Sequence, residues 1–248
     1  MHPDMKTSKS TPPSSSGETR TVQLTMPTSW SELDEQQLRY AFTVLCVFDA
    51  ETARQYLFCR LASQQLGDGS WWVGIPSEDI AAASSVLDWL HDVPSVPVRL
   101  STVQGRTAVD ALLHGVPFNT YINLESLYQG YLQSKDEKAL DAMFPMLYPS
   151  AEAHKPLRPF ERYNILQWMT SVKQVFAQQW SEFFHPAGGE TTEQPSMLEV
   201  VDAEIRALTG GDITKEAQVL QSDCWRALTE LDAKAREARE MKELLNKK

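Results

Sequence analysis

The stretch from Val116 to Pro149 places the strongest constraint on the fold, because its large apolar side chains follow a helical repeat. In its first part they recur at steps of three and four, which is the repeat of one face of an α-helix. These residues are Phe118, Tyr121, Leu124, Tyr128, Tyr131 and Leu132. After a charged break at 135–138 the spacing continues with Leu140, Met143, Phe144 and Leu147. The pattern predicts a helical hairpin whose inner faces are aromatic.

Two further helices are predicted ahead of this hairpin, over about 35–48 and 50–66, and they should pack antiparallel. Asp34 is placed to cap the first helix, and Ser29 with Glu32 has the S-x-x-E spacing of a capping box. The side chains predicted to face inward are Leu38, Phe42, Leu45, Cys46, Ala53, Leu57, Phe58 and Leu61. A shorter helix should open at 76–77. Its predicted inner face consists of Ile80, Ala83, Leu87 and Leu90.

Strand-like sequence is confined to short stretches. Residues 21–26 alternate in strand fashion, and two prolines hold 96–100 extended, so we expect these two stretches to pair. Trp71 and Trp72 are adjacent, and one of the two rings is expected to be a core wedge rather than an exposed contact. The predicted fold class is mainly α: a multi-helix bundle with at most a minor two-stranded β element and a long C-terminal helix.

Composition divides the chain into four segments. Residues 1–20 are rich in Ser, Thr and Pro and too poor in apolar side chains to offset their conformational entropy, so a disordered tail is predicted. Residues 21–185 form the predicted helical core domain, which ends in an amphipathic helix over about 160–183. Residues 186–195 are polar and rich in helix breakers, as expected of a linker. Residues 196–248 form a predicted C-terminal helical hairpin with a long last helix.

The last helix is the predicted partner-binding element. Gly210 and Gly211 should stop a helix over 197–208, and the long helix then begins at about Thr214. With a period of seven, a stripe is formed by Ala217, Cys224, Leu231, Ala238 and Leu245, with Leu228 and Ala235 beside it. This narrow stripe suits docking onto another helix, which a protein partner or a homo-oligomer would supply. The candidate partner-binding residues are Trp225, Leu228, Leu231, Ala235 and Ala238.

Charge and apolar content argue against nucleic acid and membrane as partners. The formal net charge is −10, and we find no cluster of Lys and Arg to neutralise a phosphate backbone. The uncharged run at 40–48 is far shorter than the roughly 20 apolar residues of a membrane-spanning helix. The N-terminus has no apolar core of signal-peptide type. The cysteines lie far apart without a CxxC pair, so we expect buried thiols in a reducing compartment and a cytoplasmic protein.

We find no motif for catalysis, cofactor binding or metal binding, so no residues are assigned to these roles. The histidines show neither HExxH nor a close pairing with Cys or Asp. The GxSxG, GxGxxG and GxxxxGKS/T motifs are missing. Carboxylate pairs such as Glu78/Asp79 and Glu199/Asp202 are interpreted as helix caps and solvated faces. An enzyme with a site assembled from distant residues stays an alternative, and a deep pocket lined by titratable groups with perturbed pKa would favour it.

Three stretches together resemble a known group of proteins. They are 27–33 (PTSWSEL) with 37–40 (QLRY), 208–216 (LTGGDITKE) and 225–237 (WRALTELDAKARE). They resemble uncharacterised proteins encoded in the tail-gene clusters of phages and integrated prophages of gut bacteria. In that family the gene tends to lie near those for the tail tube and the tape-measure protein, where tail-assembly chaperones are usually encoded. The resemblance implies a role in tail morphogenesis in the bacterial host cytoplasm. It covers the two ends of the folded chain better than the middle and transfers no site residues.

The sequence leads to a principal hypothesis and two alternatives. The principal one is a non-enzymatic tail-assembly factor that holds an aggregation-prone partner, the tape-measure or tail-tube protein, until the tail polymerises. The surplus of aromatic residues and the terminal helix motivate it, because exposed aromatic and Met surface suits apolar helical partners. The first alternative is a structural subunit retained in the virion tail. The second is the enzyme with a dispersed site.

Overall fold

The computed structural model of the chain describes residues 23–66, 76–184 and 197–246. The helices in these ranges are α1 (Glu35–Leu45), α2 (Ala50–Leu66), α3 (Ser77–Ser84), α4 (Phe118–Ser134), α5 (Lys138–Leu147), α6 (Pro159–Gln179), α7 (Ser181–Phe184), α8 (Met197–Thr209), α9 (Glu216–Gln221) and α10 (Cys224–Asn246). Stretches of 3₁₀ helix occur at Trp30–Glu32, Ser85–His91 and Ile213–Lys215. Strands β1 (Thr102–Val103) and β2 (Arg106–Thr107) form a two-stranded antiparallel sheet. The predicted fold class, mainly α with a minor two-stranded element and a long C-terminal helix, is confirmed.

Helices α1 and α2 form the antiparallel pair that the sequence predicts. Asp34 caps α1 by accepting hydrogen bonds from the backbone amides of Gln36 and Gln37, and the Asp34 amide in turn donates to Oε1 of the Gln37 side chain. Gln37 also donates to the Gln64 side chain at 3.2 Å, which places the start of α1 beside the end of α2. The predicted inward residues Leu38, Phe42, Ala53, Leu57, Phe58 and Leu61 are buried, while Leu45 and Cys46 are half-buried.

The capping box predicted for Ser29 and Glu32 is wrong. The Ser29 side chain makes no capping bond, and Glu32 instead accepts hydrogen bonds from the amide and hydroxyl of Thr28, both at 2.8 Å. These bonds lower the pKa of Glu32. The reason is the length of the element: Trp30–Glu32 is a single 3₁₀ turn, and α1 begins separately behind its own cap.

The predicted pairing of 21–26 with 96–100 is also wrong. Neither 96–100 nor the described part of the first stretch, 23–26, forms a strand. The sheet is instead a local hairpin whose turn residues Gln104 and Gly105 both have positive φ (52° and 78°), as tight two-residue hairpins require. Prolines within and before 96–100 remove backbone donors, and the Leu100 amide is bound by the Asn164 side chain at 2.8 Å.

One predicted inward residue of α3 is exposed. Ala83 faces solvent, whereas Leu87 and Leu90 are buried and Ile80 is half-buried. The helix tightens into the 3₁₀ stretch Ser85–His91, and Leu87 leaves helical geometry with φ −104° and ψ 20°. Within α3 itself, Ser84 is buried in place of Ala83. The inner face therefore passes from Ile80 through Ser84 to Leu87, at steps of four and three.

The aromatic hairpin at the centre of the chain is present as α4 and α5. Of its predicted inner residues, Phe118, Tyr121, Leu124 and Tyr128 of α4 and Leu140, Met143, Phe144 and Leu147 of α5 are buried. Tyr131 is half-buried, and Leu132 is wrongly placed because 40% of its surface is exposed. The last turn of α4 lies outside the core, since Leu132, Gln133 and Ser134 are all exposed. Lys135 then ends the helix in the left-handed region (φ 57°).

The helix predicted over 160–183 is interrupted, and the interruption shapes the surface described below. α6 ends at Gln179, and Trp180 leaves the helical conformation (φ −121°, ψ 58°) before α7 begins. Asp232 of α10 accepts hydrogen bonds from the backbone amides of Glu182 and Phe183 at 2.9 and 3.1 Å. The turn of α7 is therefore held by α10, and Phe183 is half-buried rather than part of the α6 core face.

The long last helix does not run unbroken from Thr214. A break at Ser222–Asp223 separates α9 from α10, and the break is tied to the start of α4. The Phe118 amide donates to the Ser222 carbonyl at 2.8 Å, and the Cys224 amide donates to the Val116 carbonyl at 2.9 Å. The stripe predicted with a period of seven is discontinuous as a result: Cys224 and Leu231 are buried, whereas Ala217, Ala238 and Leu245 are exposed.

Helices from both sides of the predicted linker share one hydrophobic core. Cys224, Ala227, Leu228 and Leu231 of α10 belong to the same buried cluster as the aromatic side chains of α4, α5 and α6. The α8 helix ends at Gly210 and Gly211, both with positive φ (65° and 85°), as the sequence predicts. The predicted disordered tail 1–20, the linker 186–195 and the pair Trp71 and Trp72 lie outside the described residues.

Candidate binding groove

An open groove of about 830 Å³ is lined mainly by α4 and α8, with further residues from α6, α7 and α10; we call it the α4–α8 groove. Its apolar lining comes from Ile122, Phe183, Phe184, Val200, Val201, Ala203, Ala207, Leu231 and Ala235. Its polar and titratable lining comes from Tyr121, Glu125, Gln129, Gln133, Lys173, Glu199, Glu204 and Lys234. Most of the apolar lining side chains are half-buried, so the chain leaves them partly accessible. A concave, mainly apolar surface with a few polar groups is typical of a binding site.

Local helical spacing builds the two walls. Tyr121, Glu125, Gln129 and Gln133 follow each other at steps of four along α4, so they form one row next to the buried face of that helix. On the opposite wall, Val200, Glu204 and Ala207 of α8 share a face in the same way. Among the described side chains of α8, Thr209 is the one that is fully buried. The C-terminal end of α8 is thus packed against the rest of the chain, and the apolar face of α8 lines the groove.

Lys173 of α6 makes an ion pair and a contact with an aromatic ring inside the groove. Its Nζ lies 2.8 Å from Oε2 of Glu125, and both side chains are mostly buried. The other carboxylate oxygen of Glu125 accepts a hydrogen bond from Gln129 Nε2 at 2.9 Å. Nζ of Lys173 also lies 4.5 Å from the ring centroid of Phe184, a cation–π contact. These contacts fix the lysine in place and neutralise the Glu125 carboxylate.

Glu204 is a carboxylate of the groove whose pKa its surroundings raise into the neutral range. The residue is half-buried on α8, and among the described residues no hydrogen bond or ion pair reaches its carboxylate. Burial raises the pKa of Glu204 to about 7; the negative charge of Glu125 acts in the same direction, and Lys173 opposes it. Glu204 therefore gains or loses a proton near neutral pH. This property suits either acid–base chemistry or an ion pair with a cation from a bound molecule.

The pKa values of Tyr121 and Cys224 lie well above this range. Burial raises the pKa of Tyr121 well above its ordinary value, with Glu125 and Glu204 adding to the effect, so its hydroxyl stays neutral. Cys224, the first residue of α10, is buried, and this burial raises the pKa of its thiol to about 12. Its Sγ donates to the Leu113 carbonyl at 3.3 Å. A thiol of this kind is an inert core group rather than a nucleophile.

The structure separates the predicted partner-binding residues. Leu231 and Ala235 line the α4–α8 groove. Leu228 is fully buried in the chain's own core, so its side chain is not available to a partner in this conformation. Trp225 is half-buried: its Nε1 donates to the Leu112 carbonyl at 2.6 Å, and its ring packs edge-on against Trp180. Ala238 is exposed further along α10. The role of these residues in binding a partner stays a prediction.

Sequence reasoning missed Glu125, Lys173 and Glu204, which come from three separate helices. These residues lie too far apart along the chain to form a recognisable sequence motif. One signal was available for Glu204, because the residue falls on the apolar face of α8 between Val201 and Leu208, where an unpaired carboxylate is unexpected. The interpretation of Glu199/Asp202 as a helix-start and solvated pair is confirmed, because both residues are exposed and Glu199 lies in the first turn of α8. Glu199 also lines the edge of the groove.

Further properties of the described ranges bear on the kind of site. No three His, Cys, Asp or Glu side chains within 23–66, 76–184 and 197–246 are grouped so that they could hold a metal ion. In the same ranges, no helix has both the length and the apolar character needed to cross a membrane. No family model, curated protein or solved structure matches the chain. The α4–α8 groove is therefore interpreted from its own chemistry.

Proposed function

We propose that the protein is a non-enzymatic assembly factor that binds an apolar helical segment of a protein partner in the α4–α8 groove. The observation that supports the proposal is the groove, which is open, mainly apolar, and lined by half-buried side chains such as Phe183, Phe184 and Val201. An amphipathic helix that lays its apolar face into such a groove is a recurrent mode of peptide recognition. Removing this partly exposed apolar surface from water would drive the association.

We further propose that the partner is the tape-measure or tail-tube protein of a phage or prophage tail. The resemblance of three sequence stretches to proteins of tail-gene clusters supports this choice. A tape-measure protein is a long apolar chain that needs protection until the tail tube forms around it, and a groove for apolar helices suits that task. Acidic charge on the body, −10 for the chain, would help to keep such a complex soluble.

Co-expression with the neighbouring tape-measure gene, followed by pull-down, tests the proposal. The chain offers a matched pair of alanine variants. Ala235→Trp places a large ring in the groove, while Ala142→Trp places the same ring on the exposed surface of α5, outside the groove lining. We expect Ala235→Trp to reduce capture of the partner at least several-fold and Ala142→Trp to leave it unchanged, with equal helix content by circular dichroism. No enrichment by the unmodified protein, with a partner that is soluble alone, would contradict the proposal.

A structural tail subunit is the first alternative, and mass spectrometry of purified virions separates it from an assembly factor. An assembly factor should be missing from the particle, whereas a subunit should be present in stoichiometric amounts. The second alternative, an enzyme, is favoured by one observation: Glu204, with its raised pKa, lies in the same cavity as Glu125 and Lys173. For that alternative, Glu204→Gln would abolish turnover of a substrate.

A further inference from the structure

We propose that the segment bound in the α4–α8 groove carries a lysine or arginine that pairs with Glu204, so that Glu204 determines which apolar helices the groove accepts. The inference rests on the proposed function and adds the chemistry of the partner. It concerns one contact: the carboxylate of Glu204 on the α8 wall with a cation supplied from outside the chain.

Charge within the groove favours a cationic partner. Three glutamates and two lysines line it among the described residues. Both lysines already have carboxylate partners: Lys173 pairs with Glu125 at 2.8 Å, and Lys234 pairs with Glu230 on its own helix at 3.3 Å. Glu204 has no such partner in the described ranges. A cation from a bound segment therefore meets a carboxylate that forms no ion pair within the described ranges.

Desolvation makes this pairing selective. A half-buried carboxylate loses further hydration when an apolar helix covers it, and the loss is unfavourable unless a partner charge replaces the water. Val200, Val201 and Ala207 surround Glu204 on the same wall, so they can pack against the aliphatic stem of a Lys or Arg while the charged end reaches the carboxylate. A purely apolar helix would bury Glu204 without compensation. The groove should therefore discriminate against it.

The length of the groove favours a helix over a small amine. Lining residues of α4 extend from Tyr121 to Gln133, and at 1.5 Å per residue this wall is roughly 18 Å long. That length corresponds to about 12 residues of a bound helix. A small amine would occupy the vicinity of Glu204 and leave most of the wall, including Gln129 and Gln133, uncovered.

Binding should depend on pH in a definite direction. The charged and titratable groups that face Glu204 are Glu125 and Tyr121 from α4, Lys173 from α6, Lys234 from α10 and Glu199 from α8. Burial raises the pKa of Glu204 to about 7, so part of the population is protonated at neutral pH. A bound cation favours the ionised form and displaces that proton. Affinity for a cationic segment should therefore rise as the pH increases from 6 to 8.

Two synthetic peptides test the inference on the full-length protein. Both are amphipathic helices of about 12 residues built from Leu, Ala and Gln, a length that matches the groove. One has Lys at the centre of the apolar face, and the other has Met there. We expect the Lys peptide to bind at least about tenfold more tightly at pH 8, as measured by isothermal titration calorimetry. We also expect Glu204→Gln to remove that preference.

Asp202→Asn is the matched control, because it removes one negative charge from the exposed side of the same helix. It should keep the preference for Lys. If both peptides bind equally and Glu204→Gln has no effect, the pairing is overturned while the proposed function stands. Failure of both peptides to bind overturns the proposed function and the pairing with it. Binding of octylamine in place of either peptide would assign the groove to small amphiphilic amines and also overturn the proposal.

Discussion

Lys173 of α6 lies 2.8 Å from Glu125 of α4, and this ion pair crosses the inside of the α4–α8 groove. Only about a sixth of each side chain is exposed (18% and 16%), so neither charge is fully hydrated. The pair places two opposite charges against each other within a mainly apolar surface. The two members of the pair also act on the pKa of the neighbouring Glu204: Glu125 raises that pKa and Lys173 lowers it.

Lys173→Met should destabilise the protein, because it leaves Glu125 as an unpaired, mostly buried charge. We expect the free energy of unfolding to fall by about 2–4 kcal/mol at pH 8, measured by urea denaturation. Adding Glu125→Gln to Lys173→Met should restore much of the loss. Lys234→Met, which breaks the exposed pair with Glu230, should cost less than about 1 kcal/mol. Equal losses for the two lysine variants would contradict the expectation.

Glu204→Gln should stabilise the protein at high pH and not at low pH. The folded-state pKa of Glu204, about 7, lies above its ordinary value of 4.5, so between these values the folded state binds more protons than the unfolded state. Stability from this group is therefore present at low pH and is lost as the pH rises through 7. After allowance for partial solvent exposure, we expect the variant to be about 1–2 kcal/mol more stable than the unmodified protein at pH 8.

The difference should disappear near pH 4.5, where the carboxylate is neutral in the folded state and half-protonated in the unfolded state. Urea denaturation at both pH values measures it. Asp202→Asn should show no comparable change with pH, because its side chain is exposed. A stability difference for Glu204→Gln that is constant with pH would mean that the carboxylate is not desolvated in the folded protein.

Asp223→Ala should loosen the attachment of α10 to the rest of the chain. One carboxylate oxygen of Asp223 caps α10 through the Trp225 amide at 2.8 Å, and the other accepts from the Gly115 amide, 108 positions earlier. Loss of both bonds should lower the free energy of unfolding by about 1–3 kcal/mol. Gln221→Ala, an exposed position at the end of α9, serves as the control in urea denaturation. A loss no larger than that of the control would show that the cap does not contribute.

Tyr148→Phe should disrupt a closed ring of buried hydrogen bonds. The Tyr148 hydroxyl donates to the Leu100 carbonyl at 2.8 Å and accepts from Asn164 at 2.9 Å, while the Leu100 amide donates back to Asn164 at 2.8 Å. Removing the hydroxyl leaves a buried acceptor and a buried donor unpaired, at a cost of about 1–3 kcal/mol. Tyr56→Phe, at an exposed ring, should change stability by less than about 0.5 kcal/mol in the same thermal or urea measurement.

Much of the fold could be predicted from the sequence because helical structure is largely local. The bounds of α2 and the buried faces of α4 and α5 follow from apolar spacing within a few turns. The cap at Asp34 and the stop at Gly210 likewise depend on neighbours within about four residues. The prediction failed where distant contacts override local preference. The helix predicted over 160–183 breaks at Trp180, where α10 binds the following turn. The predicted last helix breaks at Ser222–Asp223, where backbone hydrogen bonds join the chain to the start of α4.

The amino-acid sequence by itself therefore determined a mainly α chain, the positions of most helices and most of the side chains that turn inward. Only the tertiary structure decided that Leu228 is enclosed by the chain's own helices, that Lys173 meets Glu125, and that the Glu204 carboxylate lies in a groove without a partner among the described residues. The physical reason is the range of the forces involved. Helix formation depends on contacts within one or two turns, whereas the surroundings of a charge depend on how separate helices dock.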